Sequence, residues 1–270
     1  MRPMPLTTRL RRTAEFMACG ARARGRHVGA LCIVAFLSAA GLGASAIAQE
    51  RTREIYPAET ARRGFEALEK KLLEARTVHI DGSITAEGTI AVEMAGSLKL
   101  QRGNLVSEWF EGEFAGESRK AFVVSDGKQM RGGDSGGKEF SATTPDALAE
   151  ALIVGATRMG LLHNIAMLGA GVPPEHSDGG VGDRVRVGEF KWVTDSALDG
   201  FLVRHIAFDL FVNDEKSARV EMWVRRENGM PVKRLQVVEF ESGEMRVTES
   251  YSRFEIDVDL APSTFKLPEN

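Results

Sequence analysis

The chain has 270 residues, enough for one sizeable domain or two small ones. Hydrophobic residues make up 43% and charged residues 27%, the balance of an ordinary globular protein rather than a disordered or fibrous one. The formal net charge of −3 becomes more negative once the N-terminal segment is set aside, which argues against nucleic acid and anionic membrane surfaces as partners.

Residues 1–48 carry seven arginines, then an apolar run from Val28 to Ala44, then Ala46-Ile47-Ala48. This is a basic region, a hydrophobic region and an A-x-A site, so a secretory signal peptide cut after Ala48 is expected. The basic region is long, which leaves Met17 open as the start and Arg11-Arg12 open as a twin-arginine pair, although the Phe and Lys that should follow such a pair are not in place. An N-terminal membrane anchor is the other reading, since the run is about as long as the shortest spans, but it is rich in Gly and Ala. Cleavage removes 7 basic and 1 acidic residue, leaving 28 against 37 and a net charge of −9. Both cysteines, Cys19 and Cys32, go with it, and neither sits in an acylation box. The mature chain is therefore expected to lack disulfides, a thiolate metal site, a cysteine nucleophile and a lipid anchor.

A short extended leader is expected to give way to a helix over 57–76. There Ala61, Phe65, Leu68, Leu72 and Ala75 recur at helical spacing, and Pro57 suits the first turn. Strands are expected at 77–85, 89–101, 105–113 and 117–125, divided by turn residues at about ten-residue spacing, the mark of an antiparallel sheet. The glycine-rich segment 131–138 reads as a flexible loop. Residues 143–169 break the strand pattern with a broad apolar helical face that includes Leu148, Leu152, Met159 and Leu162. Thr144 is a candidate N-cap, and Gly155 and Gly160 divide the segment into two helices. A loop with Pro173-Pro174 follows, then strands at 184–192 and 201–212. The second is apolar on both faces, so a central position in the sheet is expected for it. The chain closes with a three-stranded meander over 219–267. Val220, Met222 and Val224 share one face, Leu235 and Val237 begin the second run, and Phe254, Ile256, Val258 and Leu260 form the third. No internal repeat and no interdomain linker are visible.

Chemistry-bearing motifs are few. Gly133 to Gly137 spells GDSGG, the nucleophile signature of chymotrypsin-like serine proteases, but that chemistry needs an upstream histidine base in its own setting. The one mature histidine upstream, His79, is far too close and lies in VHIDG, so chance in a glycine-rich loop is the better reading. His176 with Asp178 and Asp183 offers a loop metal site against the plainer reading of a solvated loop. His205 reads as a hydrogen-bonded core histidine. No phosphate loop, paired metal-ligand motif or nucleophile–base pair is present, so an enzyme is not expected and no cofactor is implied. The apolar supply exceeds what one sheet face needs. A curved sheet holding the surplus inside, with helices over its mouth, would leave a ligand cavity; a core filled by side chains is the alternative.

The stretch Gly96 to Trp109, GSLKLQRGNLVSEW, followed by Phe122-Val123-Val124-Ser125-Asp126-Gly127-Lys128, resembles the LolA family of periplasmic outer-membrane lipoprotein carriers. Members show Gly-x-Leu-x-x-x-Arg-Pro-Asn-Leu-Phe-x-Trp and then a strand ending Ser-Asp-Gly-Lys; the ending Phe265-Lys266-Leu267-Pro268 is similar as well. The resemblance spans 57–268 and implies an α+β fold: a curved antiparallel sheet forming an incomplete β-barrel, with an N-terminal helix and a central helical lid. It implies a lipid- or lipoprotein-binding domain over 49–270 that is monomeric and periplasmic. Its cavity would hold acyl chains, and an inner-membrane release complex and an outer-membrane receptor would be its partners. Candidate cavity residues are Phe65, Leu98, Leu100, Trp109, Phe122, Leu152, Met159, Phe208, Met222, Trp223 and Phe254. Arg102 matches the family arginine that bonds the lid backbone and favours closure. Gly103 replaces the family proline, and Val106 replaces a phenylalanine tied to lipoprotein handling, which bears on lipoprotein trafficking more than on fold. The rival function is an envelope-stress sensing module of the same fold. That version usually carries a second C-terminal domain, which the sequence does not lead one to expect here.

Overall fold

The computed structural model describes residues 57–169, 184–241 and 243–268. The expected signal peptide, the loop metal reading on His176, Asp178 and Asp183, and Ser242 of the last turn lie outside the described residues. The first helix, α1 (Ala58–Glu74), buries Ala61, Phe65, Leu68 and Leu72, the stripe its spacing predicts. Arg62 and Arg63 pair with Glu59, and Arg62 also with Glu66, on the exposed face.

Among the described residues eleven strands follow in two meanders. The first runs β1 (Thr77–Gly88), β2 (Val92–Gln101), β3 (Leu105–Phe114), β4 (Glu117–Asp126), β5 (Gln129–Asp134) and β6 (Glu139–Thr143). The second runs β7 (Val185–Leu198), β8 (Phe201–Val212), β9 (Glu215–Arg225), β10 (Pro231–Phe240) and β11 (Gly243–Ile256). All pair antiparallel in the order β6-β5-β4-β3-β2-β1-β11-β10-β9-β8-β7. The last strand thus returns to the first, and β6 and β7 are left as edges. The result is an open barrel, the α+β architecture expected from the sequence.

Between the edges the chain forms α2 (Leu148–Val154), a π-helical turn (Gly155–Met159) and α3 (Leu161–Gly169). α1 packs on β7 and α2, the π turn packs on β7, and α3 packs on β4 and β5. The helices therefore bridge the two open sides of the sheet. Gly160 makes the break, at φ 94°, where any residue with a Cβ is strained. None of the helices among the described residues is long and apolar enough to cross a membrane.

Four expectations are corrected. Residues 131–138 are not a loop but parts of β5 and its hairpin turn, because Asp134 Oδ1 accepts from the N–H groups of Gly136 and Lys138 and fixes the turn. β8 lies next to an edge strand, not at the centre, and its Leu202 is 66% exposed. Thr144 does not cap a helix. Its hydroxyl pairs with Ser125 at 2.8 Å, and α2 begins later, at Leu148. The last strand begins at Gly243 and stops at Ile256, so Val258 and Leu260 lie beyond it. Asp257 turns the chain at φ 57° and accepts the Arg76 N–H, and the Val258 carbonyl accepts the Thr77 hydroxyl.

Candidate functional site

Strand pairing divides the side chains into an inner and an outer set. One inner row crosses six strands as Gly132, Val123, Glu108, Leu98, Ile80 and Phe254. A neighbouring row reads Met130, Ser125, Val106, Leu100, Val78 and Ile256. A third reads Met94, Ile84, Glu249, Arg234, Met222 and Ile206. The apolar members of these rows and the buried faces of the helices form one continuous cluster, into which Glu108, Ser125, Arg234 and Glu249 are set as polar residues. Phe65 of α1 meets Phe208 at 4.9 Å and Phe190 at 5.7 Å between ring centroids, which fixes the helix over the second meander.

Of the residues singled out from sequence, Phe65, Leu98, Leu100, Leu152, Phe208, Met222 and Phe254 are buried in this cluster, and Met159 packs on it. Val106 is fully buried in the same interior. Trp109, Phe122 and Trp223 are corrected to the outer face. Trp109 is 46% exposed and pairs across the ladder with Phe122. Trp223 stacks on His205 at 4.2 Å, and His205 in turn bonds Glu221 at 3.0 Å. The cause is parity. Val106, Glu108 and Phe110 point inward, so Trp109 cannot, and Met222 takes the inward position that its neighbour Trp223 would need.

Among the described residues, polar contacts hold the helices against the sheet, and three sets stand out. The first is in the β2–β3 turn. Arg102 donates from Nη2 to the carbonyl of Glu74 and from Nε to that of Ala75, at 3.3 Å for the latter, so it caps the C-terminal end of α1. Among the described residues its bonds go to the end of α1 and not to the central helices, which corrects its expected role. Asn104, two residues on, does. Its Nδ2 donates to the Asp146 carbonyl at 2.8 Å, and its Oδ1 accepts the Ala149 N–H at 3.1 Å, capping α2 from another part of the chain. In the second set, Glu69 of α1 holds Arg158 of the π turn bidentately, at 2.8 and 2.6 Å, while Arg158 Nη1 donates to the Val185 carbonyl of the edge strand.

The third set is a buried polar group that sequence reading missed. Arg234 and Glu249 stand directly opposite one another on β10 and β11, and both are fully buried. Arg234 donates to the Arg158 carbonyl and to Gln236 Oε1, each at 2.7 Å. Glu249 accepts the Leu162 N–H at 3.3 Å and the Tyr251 hydroxyl at 2.5 Å. Gly160 sits between them: a Cβ there would lie 2.5 Å from both Arg234 Nη1 and Glu249 Oε1. Burial, and then the Glu249 charge, push Tyr251 well above its ordinary range, so it stays a donor. Arg234 and Gln236 face inward, and Leu235 and Val237 face the other way. Alternation along Lys233-Arg234-Leu235-Gln236, set against that in β11, was the available signal.

Glu108 was missed too. It is 3% exposed on the inner face, neither carboxylate oxygen has a hydrogen-bond partner, and burial alone raises its pKa to about 8. Ser135 of GDSGG accepts the Lys120 N–H in a hairpin, and among the described residues no group of three His, Cys, Asp or Glu is placed to hold a metal.

An open antiparallel sheet curved around one apolar interior, with helices entering between its edge strands, is the architecture that the resemblance to the LolA family leads one to expect. No protein-family model matches this sequence, and no curated protein does. Among solved structures the chain is similar to LprF from Mycobacterium bovis, at 11% identity and a TM-score of 0.45, covering 76% of this chain and 97% of that one. It is also similar to the Mycobacterium tuberculosis lipoprotein LppX, at 11% identity and a TM-score of 0.36, covering 74% and 98%. A LolA superfamily protein from Nitrosomonas europaea matches at 9% identity and a TM-score of 0.32, covering 77% and 97%. At these scores the likenesses carry no argument about function, and the fold stands on its own strand order.

Proposed function

We propose that the chain is an exported, periplasmic carrier that takes an acyl chain of a lipid or lipoprotein non-covalently into the interior of the open barrel. The supporting observation is the joint between lid and wall. A continuous apolar interior lies behind helices that a small number of polar contacts hold shut: Asn104, Glu69–Arg158, and Arg234 with Glu249. Leu148, Leu152, Ile153, Leu161 and Leu162 of the lid are buried. Uncovering five such side chains costs roughly 10 kcal/mol at most, at ~2 kcal/mol each. At ~0.8 kcal/mol per methylene, about a dozen methylenes offset that. The balance favours long acyl chains over short ones. Arg102 and Val106 would act here as helix-end and wall residues, respectively, rather than as a gate. Delivery partners, an inner-membrane release complex and an outer-membrane receptor, belong to the same proposal.

The test is native mass spectrometry of the chain purified from periplasm, with extraction of bound lipid. A co-purifying diacyl species or lipoprotein is expected. A chain that emerges empty, and stays empty after incubation with mixed phospholipids and fatty acids, contradicts the reading.

A further inference from the structure

Glu108 has no structural task. It stands in an apolar row between Leu98 on β2 and Val123 on β4, with Val106 and Phe110 as its inward neighbours along β3. Its two oxygens have no partner among the described residues. Burying a carboxyl without partners is unfavourable, and leucine would suit the row on every side. Resting on the carrier reading above, we infer that Glu108 hydrogen-bonds a polar group carried by the bound hydrocarbon. The ligand class is therefore an acyl chain bearing a hydroxyl, ester, amide or acid group inside the barrel, rather than bare hydrocarbon.

The chemistry fits this role. A neutral carboxyl presents one O–H donor and a carbonyl acceptor, so it can pair with an acid or amide through two bonds and with an alcohol or ester through one. Among the described residues, burial is what acts on the Glu108 carboxyl, and it raises the pKa. The pairing is thus between neutral groups in an apolar setting, where a hydrogen bond discriminates well. It also orients the chain, because the polar group must come to rest against the β3 wall rather than under Arg234 and Glu249.

The experiment displaces a fluorescent acyl probe with a fatty alcohol, a methyl ester and a 1-chloroalkane of equal chain length. Wild type should hold the alcohol and the ester about tenfold more tightly than the chloroalkane. Glu108→Leu should bind the chloroalkane at least as well, lose the preference, and melt at a higher temperature than wild type without ligand. Glu108→Gln, which keeps a donor and an acceptor, should retain part of the preference. Full preference in Glu108→Leu, or none in wild type, overturns the inference while leaving the carrier reading in place. Wild type that takes up no acyl probe overturns both.

Discussion

Glu108 makes the stability of this protein depend on pH in a calculable way. Its pKa is about 8 in the fold against an ordinary 4.5, so between those values the folded chain holds a proton that the unfolded chain has released. Below pH 4.5 ionisation adds nothing to the cost of burying this acid, and the added cost grows as pH rises from 4.5 towards 8. At about 1.4 kcal/mol per pH unit, the window amounts to about 5 kcal/mol, a large share of a typical 5–15 kcal/mol total. His163 works in the opposite sense. Burial, and then the Arg234 charge, hold it at about 4 against an ordinary 6.5, so stability is gained as pH rises across that range. His163 keeps an exposed edge, so its contribution is the smaller. The two partly cancel from pH 4.5 to 6.5, and the loss is steepest from 6.5 to 8. Urea unfolding of wild type and Glu108→Gln at half-unit pH steps isolates the Glu108 part, because His163 is common to both. The difference should fall with pH by about 1.4 kcal/mol per unit up to about pH 8 and then level off. A difference that does not change with pH refutes the burial of an unpartnered carboxyl at this position.

Other expectations follow from the joint between lid and wall. Arg234→Leu removes the donor to the Arg158 carbonyl and Gln236, and Glu249→Leu removes the acceptor of the Leu162 N–H and the Tyr251 hydroxyl, so each should cost about 1–3 kcal/mol. Because the two stand on neighbouring strands around Gly160, the double variant should lose less than the sum of the singles in urea unfolding, and a loss equal to that sum contradicts the coupling. Gly160→Ala forces a strained φ and a methyl group against both charged side chains. It should cost about 2–4 kcal/mol in thermal unfolding, and a neutral outcome contradicts the wedge geometry. Asn104→Gly keeps the backbone at φ 59° and removes the cap, so hydrogen exchange at residues 148–152 should quicken at a cost of about 1–2 kcal/mol. Arg102→Leu should loosen the end of α1 by about 1 kcal/mol and leave exchange in the lid unchanged, the reverse of what a lid-gating arginine would do.

The architecture was readable because helix and strand periods write themselves directly into residue spacing. The α1 stripe came out residue by residue, and the first four strands lie within a few residues of their turn signals. The site was readable only in part. Large aromatic residues drew the eye to Trp109, Phe122 and Trp223, yet size says nothing about which side of a strand a residue occupies, and adjacent residues such as Met222 and Trp223 must part. Register across the sheet decides it, and register is a long-range property. The same limit hid Arg234 opposite Glu249, and Glu108 opposite Leu98, since each reads alone as a polar residue on an exposed face. The family resemblance located the β2–β3 turn correctly but placed the lid contact on Arg102. Two residues further on, Asn104 has the positive φ and the short amide that reach the start of α2.

The central claim is that the interior of the open barrel accommodates an acyl chain. Titration of a fluorescent long-chain fatty acid into the purified chain tests it most directly. Saturable uptake at one chain per protein, with emission shifted as in hydrocarbon and slower probe release in wild type than in Asn104→Gly, is the predicted result. No saturable uptake, or uptake unchanged when Leu98 and Leu152 are replaced by charged residues in a variant that remains folded, would contradict it.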